Sequence, residues 1–175
     1  MRQNRLMIFR AHPDGRFELP QRLTRCALGK GGVTPASAKR EGDETSPIGV
    51  WTIREILYRP DVYPEGPVTA LPSRPIAPSD GWCDAPEDRA YNRPVTLPYP
   101  ASAERLWRDD HCYDLVGVLA HNDDPPIPGR GSAVFLHLAR DGYPGTEGCV
   151  ALARDDLEAL LAIARPGDAI EIAAS

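Results

Sequence analysis

Apolar residues along this chain come in short runs rather than in long helical stripes. Leu6-Met7-Ile8-Phe9 and Arg16-Phe17-Glu18-Leu19 flank His12-Pro13-Asp14-Gly15. Asp-Gly between two such runs predicts a β-hairpin, because its turn needs backbone angles that glycine adopts freely. Leu23 to Leu28 predicts a third strand, closed by Gly29-Lys30-Gly31-Gly32, and Val50 to Tyr58 alternates well enough for a longer one. Between them, Pro35 to Gly49 is polar and rich in breakers, which reads as a loop. Tyr113 to Ala120 and Ala133 to Leu138 are the most apolar β-like runs, and both are expected at the centre of the sheet. One helix is expected: Leu157, Leu160, Leu161 and Ala164 recur at helical spacing, and Pro166-Gly167 stops them. Asp155 stands in the N-cap position, with Glu158 three residues on. Ala169 to Ile172 predicts a last strand.

Composition sharpens this into a fold class. With 175 residues the chain predicts a single domain, 1–175, large enough to bury a core. Its 19 prolines and 15 glycines exclude a helical bundle, since proline breaks helix interiors. Ten of the prolines fall between Arg59 and Pro100. That segment reads as a long ordered insertion, a rigid flap beside or over the sheet, held by Trp82 and Tyr91. The expected fold is mainly β, a sandwich or mixed sheet with one C-terminal helix and this Pro-rich insertion.

Charge and length also restrict the partners. A net charge of −5, with no long basic cluster, argues against nucleic acid. No stretch approaches the roughly 20 apolar residues of a membrane span. Near the start only Leu6 to Phe9 is apolar, too short for a recognisable secretory signal. Cysteines 26, 83, 112 and 149 have neither CxxC nor zinc-finger spacing. One disulfide, such as Cys83 with Cys112, stays open.

The segment most suggestive of chemistry is His137-Leu138-Ala139-Arg140-Asp141-Gly142-Tyr143-Pro144-Gly145-Thr146-Glu147-Gly148-Cys149. A thiol attacks only as the thiolate, so a catalytic cysteine needs a nearby imidazole to take its proton. A hairpin-like return would bring His137 to Cys149, and Gly148 would let backbone N–H groups converge on an oxyanion. The chemistry implied is attack on a carbonyl. The plainer alternative is a buried small hydrophobe at Cys149 and a structural histidine at His137. A metal site from His111, His121 and His137 with Asp110, Asp123 or Asp124 is a further alternative, though no ligand spacing supports it. Trp82, Tyr91, Asn92 and the charged residues around them offer either a ligand-binding surface or the packing of an insertion against the sheet. His121, ending a buried strand, either faces the cleft or caps a turn.

With these residues in view, the chain resembles the L,D-transpeptidase catalytic domains of the YkuD-like family, cysteine enzymes that modify peptidoglycan. The resemblance rests on Val134-Phe135-Leu136-His137, on Thr146-Glu147-Gly148-Cys149, and on Lys39 to Gly49, which is similar to a second family signature. It implies Cys149 as nucleophile, His137 as base, the Leu138 carbonyl as the group orienting the imidazole, and the amides of Gly148 and Cys149 as oxyanion donors. Thr146 would shape the turn and position substrate. The implied reaction is attack on the diaminopimelate carbonyl of a stem tetrapeptide, release of D-alanine and transfer to an amine, without metal or organic cofactor. Hydrolysis by the same pair and a non-catalytic peptidoglycan-binding module are the alternatives. Carbapenem-type β-lactams are the implied inhibitors, and the cell envelope the implied location. Two positions depart from the family pattern. Glu147 replaces the usual histidine, and its carboxylate opposes a thiolate if it points inward. Ala151 stands where a polar residue is common, leaving Arg154 to meet a substrate carboxylate.

Overall fold

The computed structural model describes residues 5–175. The first two strands, β1 (Ile8–Ala11) and β2 (Arg16–Leu19), form the expected hairpin, with Gly15 at φ +91° in its turn. Strand β3 (Arg22–Ala27) adds antiparallel to β2. Next come β4 (Val33–Pro35) and the long β5 (Ser46–Tyr58). The stretch read as a loop, Pro35 to Gly49, therefore contains the end of one strand and the start of another. Pro47 is tolerated there because it pairs only with Thr34 of the three-residue β4, where one missing donor costs little.

The rest of the chain supplies β6 (Ser73–Pro75), β7 (Asp80–Cys83), β8 (Pro94–Thr96), β9 (Ala103–Arg105), β10 (Leu115–Leu119), β11 (Phe135–Leu138), β12 (Val150–Leu152), helix α1 (Arg154–Ile163) and β13 (Ala169–Ile172). The main sheet runs β10-β11-β12-β3-β2-β1-β13-β5, and β5 also pairs with β10. Residues 49–52 of β5 pair with β13, and residues 53–58 pair with β10, across a bulge between Val118 and Leu119. The sheet thus closes on itself. Phe9, Phe17, Ile56, Leu136 and Ile170 fill its interior, together with Leu157, Leu160 and Leu161 of α1.

Asp155 does not cap α1. The N-cap is Ala153, without a side-chain hydrogen bond, and Asp155 and Asp156 lie in the first turn, where negative charge suits the helix dipole. Asp156 is drawn sideways to β3, accepting from Arg22 Nη2 at 2.6 Å and Thr24 Oγ1 at 2.5 Å.

Tyr63 and Leu71 pack on the first core and β6 extends the main sheet beside β5, while residues 76–106 lie against the other face of β10 and β11. There β8-β7-β9 form a separate three-stranded sheet. Ile76, Trp82 and Leu106 pack with Val116, Val118 and Phe135 into a second core. All five residues of β10 and all four of β11 are consequently buried, one set of side chains on each core. Burial on both faces explains why these runs read as continuously apolar. Trp82 meets Phe135 edge-on at 5.1 Å between ring centres, so the aromatic residues of the insertion are packing residues. All four cysteines are free.

Candidate active site

Strands β11 and β12 run parallel, with Leu136 opposite Val150 and His137 opposite Ala151. The next pair back sets Phe135 beside Cys149, and alternation puts Phe135, His137, Cys149 and Ala151 on one face. That face is the one covered by the small sheet. Cys149 and His137 are therefore diagonal neighbours, and both line a cavity of about 400 Å³, together with Tyr113, Glu104, Lys39 and Arg140.

The turn before Cys149 is built from two distant parts of the sequence. Thr146 Oγ1 donates to the Cys149 carbonyl at 2.9 Å and accepts the Gly148 N–H at 3.1 Å. Ser46 Oγ donates to the Gly148 carbonyl at 2.9 Å and accepts the Gly29 N–H at 2.9 Å. Gly148 has φ +135°, and a Cβ on it would lie 2.7 Å from the Thr45 carbonyl oxygen, so only glycine fits. The loop that supplies Thr45 and Ser46 is held by Lys39, whose ammonium donates to Asp43 at 2.5 Å. Burial of Asp43 opposes its charge, yet the Lys39 ammonium and the N–H groups of Thr45 and Arg40 bring its carboxyl down to about 2.

His137 Nδ1 lies 2.9 Å from the Leu138 carbonyl oxygen. That carbonyl can only accept, so Nδ1 carries the proton and Nε2 keeps a lone pair. Burial lowers the imidazole to about 4, which keeps it neutral at pH 7. The Tyr113 ring braces it at 5.3 Å. Cys149 is pushed the other way, to about 12, by burial first and then by the charges of Glu104 and Glu147, against the Phe135 N–H and the Lys39 ammonium. Its thiol donates to the Ala133 carbonyl at 3.2 Å, and its sulfur accepts the Phe135 N–H at 3.4 Å. Among the described residues no hydrogen bond joins Cys149 to His137. The resting arrangement is a neutral thiol and a neutral imidazole facing one cavity.

The other residues singled out from sequence fall into two groups. Thr146, Glu147 and Leu138 line the cavity with the pair. Glu147 is exposed at its rim rather than pointing inward, and its charge is a lesser contribution to raising the thiol than burial and Glu104. The Gly148 N–H, expected at an oxyanion site, is instead held inside the turn by Thr146. His121, Arg154 and Trp82 are outside the cavity lining. His121 is buried edge-on to Trp51 at 4.8 Å. Arg154 is bound to Asp114 at 2.8 Å and to Tyr63 Oη at 2.6 Å, near the start of α1. Trp82 donates to Asn92 Oδ1 at 2.9 Å within the second core. Arg154 and Trp82 are held by partners of their own, whereas His121 is buried with Nδ1 unpartnered, and none of the three lines the cavity of Cys149 and His137. The three histidines of the metal alternative are likewise dispersed, His111 being paired with Asp114 at the surface.

Sequence reasoning did not pick out Tyr113, Glu104 or Arg140 as site residues, and it gave Lys39 no role. Glu104 and Arg140 carry no motif. Lys39 had a signal, its place in the upstream signature.

Comparison with known proteins places the chain. It matches the family model described as YkuD, the L,D-transpeptidase catalytic domain, over residues 3–172. No curated protein matches it. Among solved structures it is similar to L,D-transpeptidase 3 from Mycobacterium tuberculosis, determined in complex with a faropenem-derived adduct. There the identity is 14% and the TM-score 0.45, over 95% of this chain and 59% of that one. It is also similar to an L,D-transpeptidase from Mycobacterium smegmatis, at 13% identity and a TM-score of 0.43, over 95% of this chain and 58% of that one. The chain thus spans a little under three-fifths of the length of both. The family match extends over nearly the whole sequence, through both signature segments, and the chain belongs to the YkuD family of L,D-transpeptidase catalytic domains.

Proposed function

We propose that this chain is a cysteine-dependent L,D-transpeptidase acting on peptidoglycan stem peptides in the cell envelope. The observation that carries the reading is the shared cavity of Cys149 and His137, with Nδ1 of the imidazole fixed on Leu138 and Nε2 left as the base. In the first half-reaction the Cys149 proton passes to His137 Nε2, and the sulfur attacks the diaminopimelate carbonyl of a stem tetrapeptide. The bond to D-alanine breaks, its nitrogen takes the proton from His137, and a thioester remains on Cys149. In the second, an acceptor amine attacks the thioester, gives its proton to His137, and the returning sulfur is reprotonated. With the Gly148 N–H committed to Thr146, the oxyanion falls to the Cys149 N–H. Thr146 and Glu147 stand where substrate enters. On this reading β-lactams of the carbapenem type are acylating probes of Cys149.

The test is an intact-mass measurement after incubation with a disaccharide-tetrapeptide. The expected result is an adduct on Cys149 and released D-alanine, both absent in Cys149→Ala. Full release of D-alanine by that variant overturns the reading. Adding an amine separates transfer from hydrolysis, because a carboxypeptidase or endopeptidase gives the same product with or without it. A second reading, a non-catalytic peptidoglycan-binding module, is favoured by one observation: the resting thiol is bonded to Ala133 and not to His137. Muropeptide binding with neither adduct nor D-alanine release selects it.

A further inference from the structure

The groups that hold the sulfur of Cys149 lead back to one residue of the insertion. Asn92 is 4% exposed and lies just before β8. Its Oδ1 accepts two hydrogen bonds, from Trp82 Nε1 at 2.9 Å and from the Ala133 N–H at 3.0 Å. Its Nδ2 donates two, to the carbonyls of His121 at 3.2 Å and Asn122 at 2.7 Å. Every hydrogen-bonding direction of the amide is thereby used, inside the protein.

Ala133 is the unusual partner. It has φ +52°, a left-handed conformation that residues with a Cβ rarely adopt because the side chain crowds the backbone. Such a conformation persists only where the surroundings impose it. Here they do so from both sides. The Ala133 N–H is fixed on Asn92, and the two residues before it are clamped by the same insertion and the upstream loop. The Gly131 N–H donates to Tyr91 Oη at 3.0 Å, and Tyr91 Oη and Ser132 Oγ both donate to Glu41. The product of that strain is the direction of the Ala133 carbonyl, which accepts the Cys149 thiol.

We infer that Asn92 is a positioning residue for Cys149, acting through the Ala133 peptide to hold the thiol protonated and in register with His137 until substrate arrives. The inference deepens the transpeptidase reading and rests on it for the role of Cys149. A carbonyl aimed at sulfur stabilises S–H and repels S⁻. Releasing it therefore makes the thiolate easier to form, while the sulfur loses its fixed place. Reactivity toward a small electrophile and turnover of a large substrate should then move in opposite directions.

The experiment measures the pH dependence of Cys149 alkylation by iodoacetamide, located by peptide mass spectrometry, in the full chain. The other charged or titratable groups facing the sulfur, His137, Tyr113, Glu104, Glu147 and Lys39, are left unchanged. In Asn92→Ala the alkylation midpoint is expected to fall by about one pH unit, with D-alanine release from a tetrapeptide reduced at least tenfold. Asn92→Asp keeps an acceptor for the Ala133 N–H and for Trp82, and sets its second oxygen against the carbonyls of His121 and Asn122 in place of the donors. It is expected to keep the parent midpoint at neutral pH and above. An Asn92→Ala protein with native circular dichroism and an unmoved midpoint overturns the inference. If Asn92→Ala does not fold, Asn92→Asp decides, and a midpoint lowered in that variant overturns it. A parent protein that releases no D-alanine defeats the transpeptidase reading, while the alkylation midpoints still decide the role of Asn92.

Discussion

Ser46 Oγ and the carbonyl of Gly148 are joined by a buried hydrogen bond of 2.9 Å, across 102 residues of sequence. The same hydroxyl accepts the Gly29 N–H, so one side chain ties β5, the loop after β3 and the turn carrying Cys149. It is the physical link between the two signature segments of the family.

Ser46→Ala leaves the Gly29 N–H and the Gly148 carbonyl without this buried partner. The expected loss is about 1–3 kcal/mol of unfolding free energy, the range for an unmade buried hydrogen bond. Urea denaturation measures it, and a variant as stable as the parent would show that the hydroxyl is dispensable.

Gly148→Ala is a harsher change at the same joint. Its Cβ would meet the Thr45 carbonyl oxygen at 2.7 Å, with φ at +135°. The turn has to open, so a loss of roughly 1–3 kcal/mol from strain is expected, accompanied by altered labelling of Cys149. Parent-like melting and labelling together would contradict the tight approach of Thr45 and Gly148.

Glu104 supplies a pH-dependent prediction. Burial, more than any other influence, raises its carboxyl from 4.5 to about 7, although Tyr113 donates to it and Arg108 lies near. The folded value exceeds the unfolded one, so the stability it contributes is complete below about 4.5 and is lost as pH rises through about 7. Glu104→Gln should abolish that loss, seen as a smaller drop in urea midpoint between pH 5 and pH 7 than in the parent. The same change removes a negative charge that faces Cys149, so the alkylation midpoint of the thiol should move down. A midpoint that stays or rises would refute the electrostatic coupling of the two groups.

His121 and His137 act in the opposite sense. Burial lowers both from 6.5 to about 4. With folded values below the unfolded ones, the unfolded chain takes up protons first as pH falls. The stability tied to the neutral rings is present above about 6.5 and is lost between there and about 4. His121→Phe keeps a ring against Trp51 and leaves no proton to bind. The variant should lose less stability than the parent on acidification from pH 7 to pH 4, by an amount on the order of 2 kcal/mol. Equal acid sensitivity in the two proteins would show that His121 is not buried neutral.

The local part of this architecture was legible in the chain. The Asp-Gly hairpin, the apolar runs of β10 and β11, the helix with its apolar spacing and the last strand all depend on neighbours within a few residues. His137 and Cys149 stood out through the family resemblance, but the hairpin-like return expected between them is not formed: β11 and β12 pair in parallel, and the crossover between them puts the two residues on one face as diagonal neighbours. Pro35 to Gly49 was misread because its breakers hide a strand start whose partners, β4 and β13, lie elsewhere. Asp155 was misassigned as a cap because the pull of Asp156 toward Arg22 and Thr24 is a tertiary effect. Arg154, His121 and Trp82 have the right chemistry for a substrate site, but the tertiary fold sets them outside the cavity that Cys149 and His137 line.

The proline-rich stretch divides most clearly along this line. Its composition alone excluded long helices, because proline fixes its own backbone angle wherever it stands, and its interspersed aromatic residues suggested order. That it forms a second sheet, seals a second core over β11 and brings Asn92 to the peptide that holds the Cys149 thiol was decided by tertiary structure. The bond from the Ala133 N–H to Asn92 joins residues 41 positions apart, and a hydrogen bond at that separation leaves no periodic trace in the sequence.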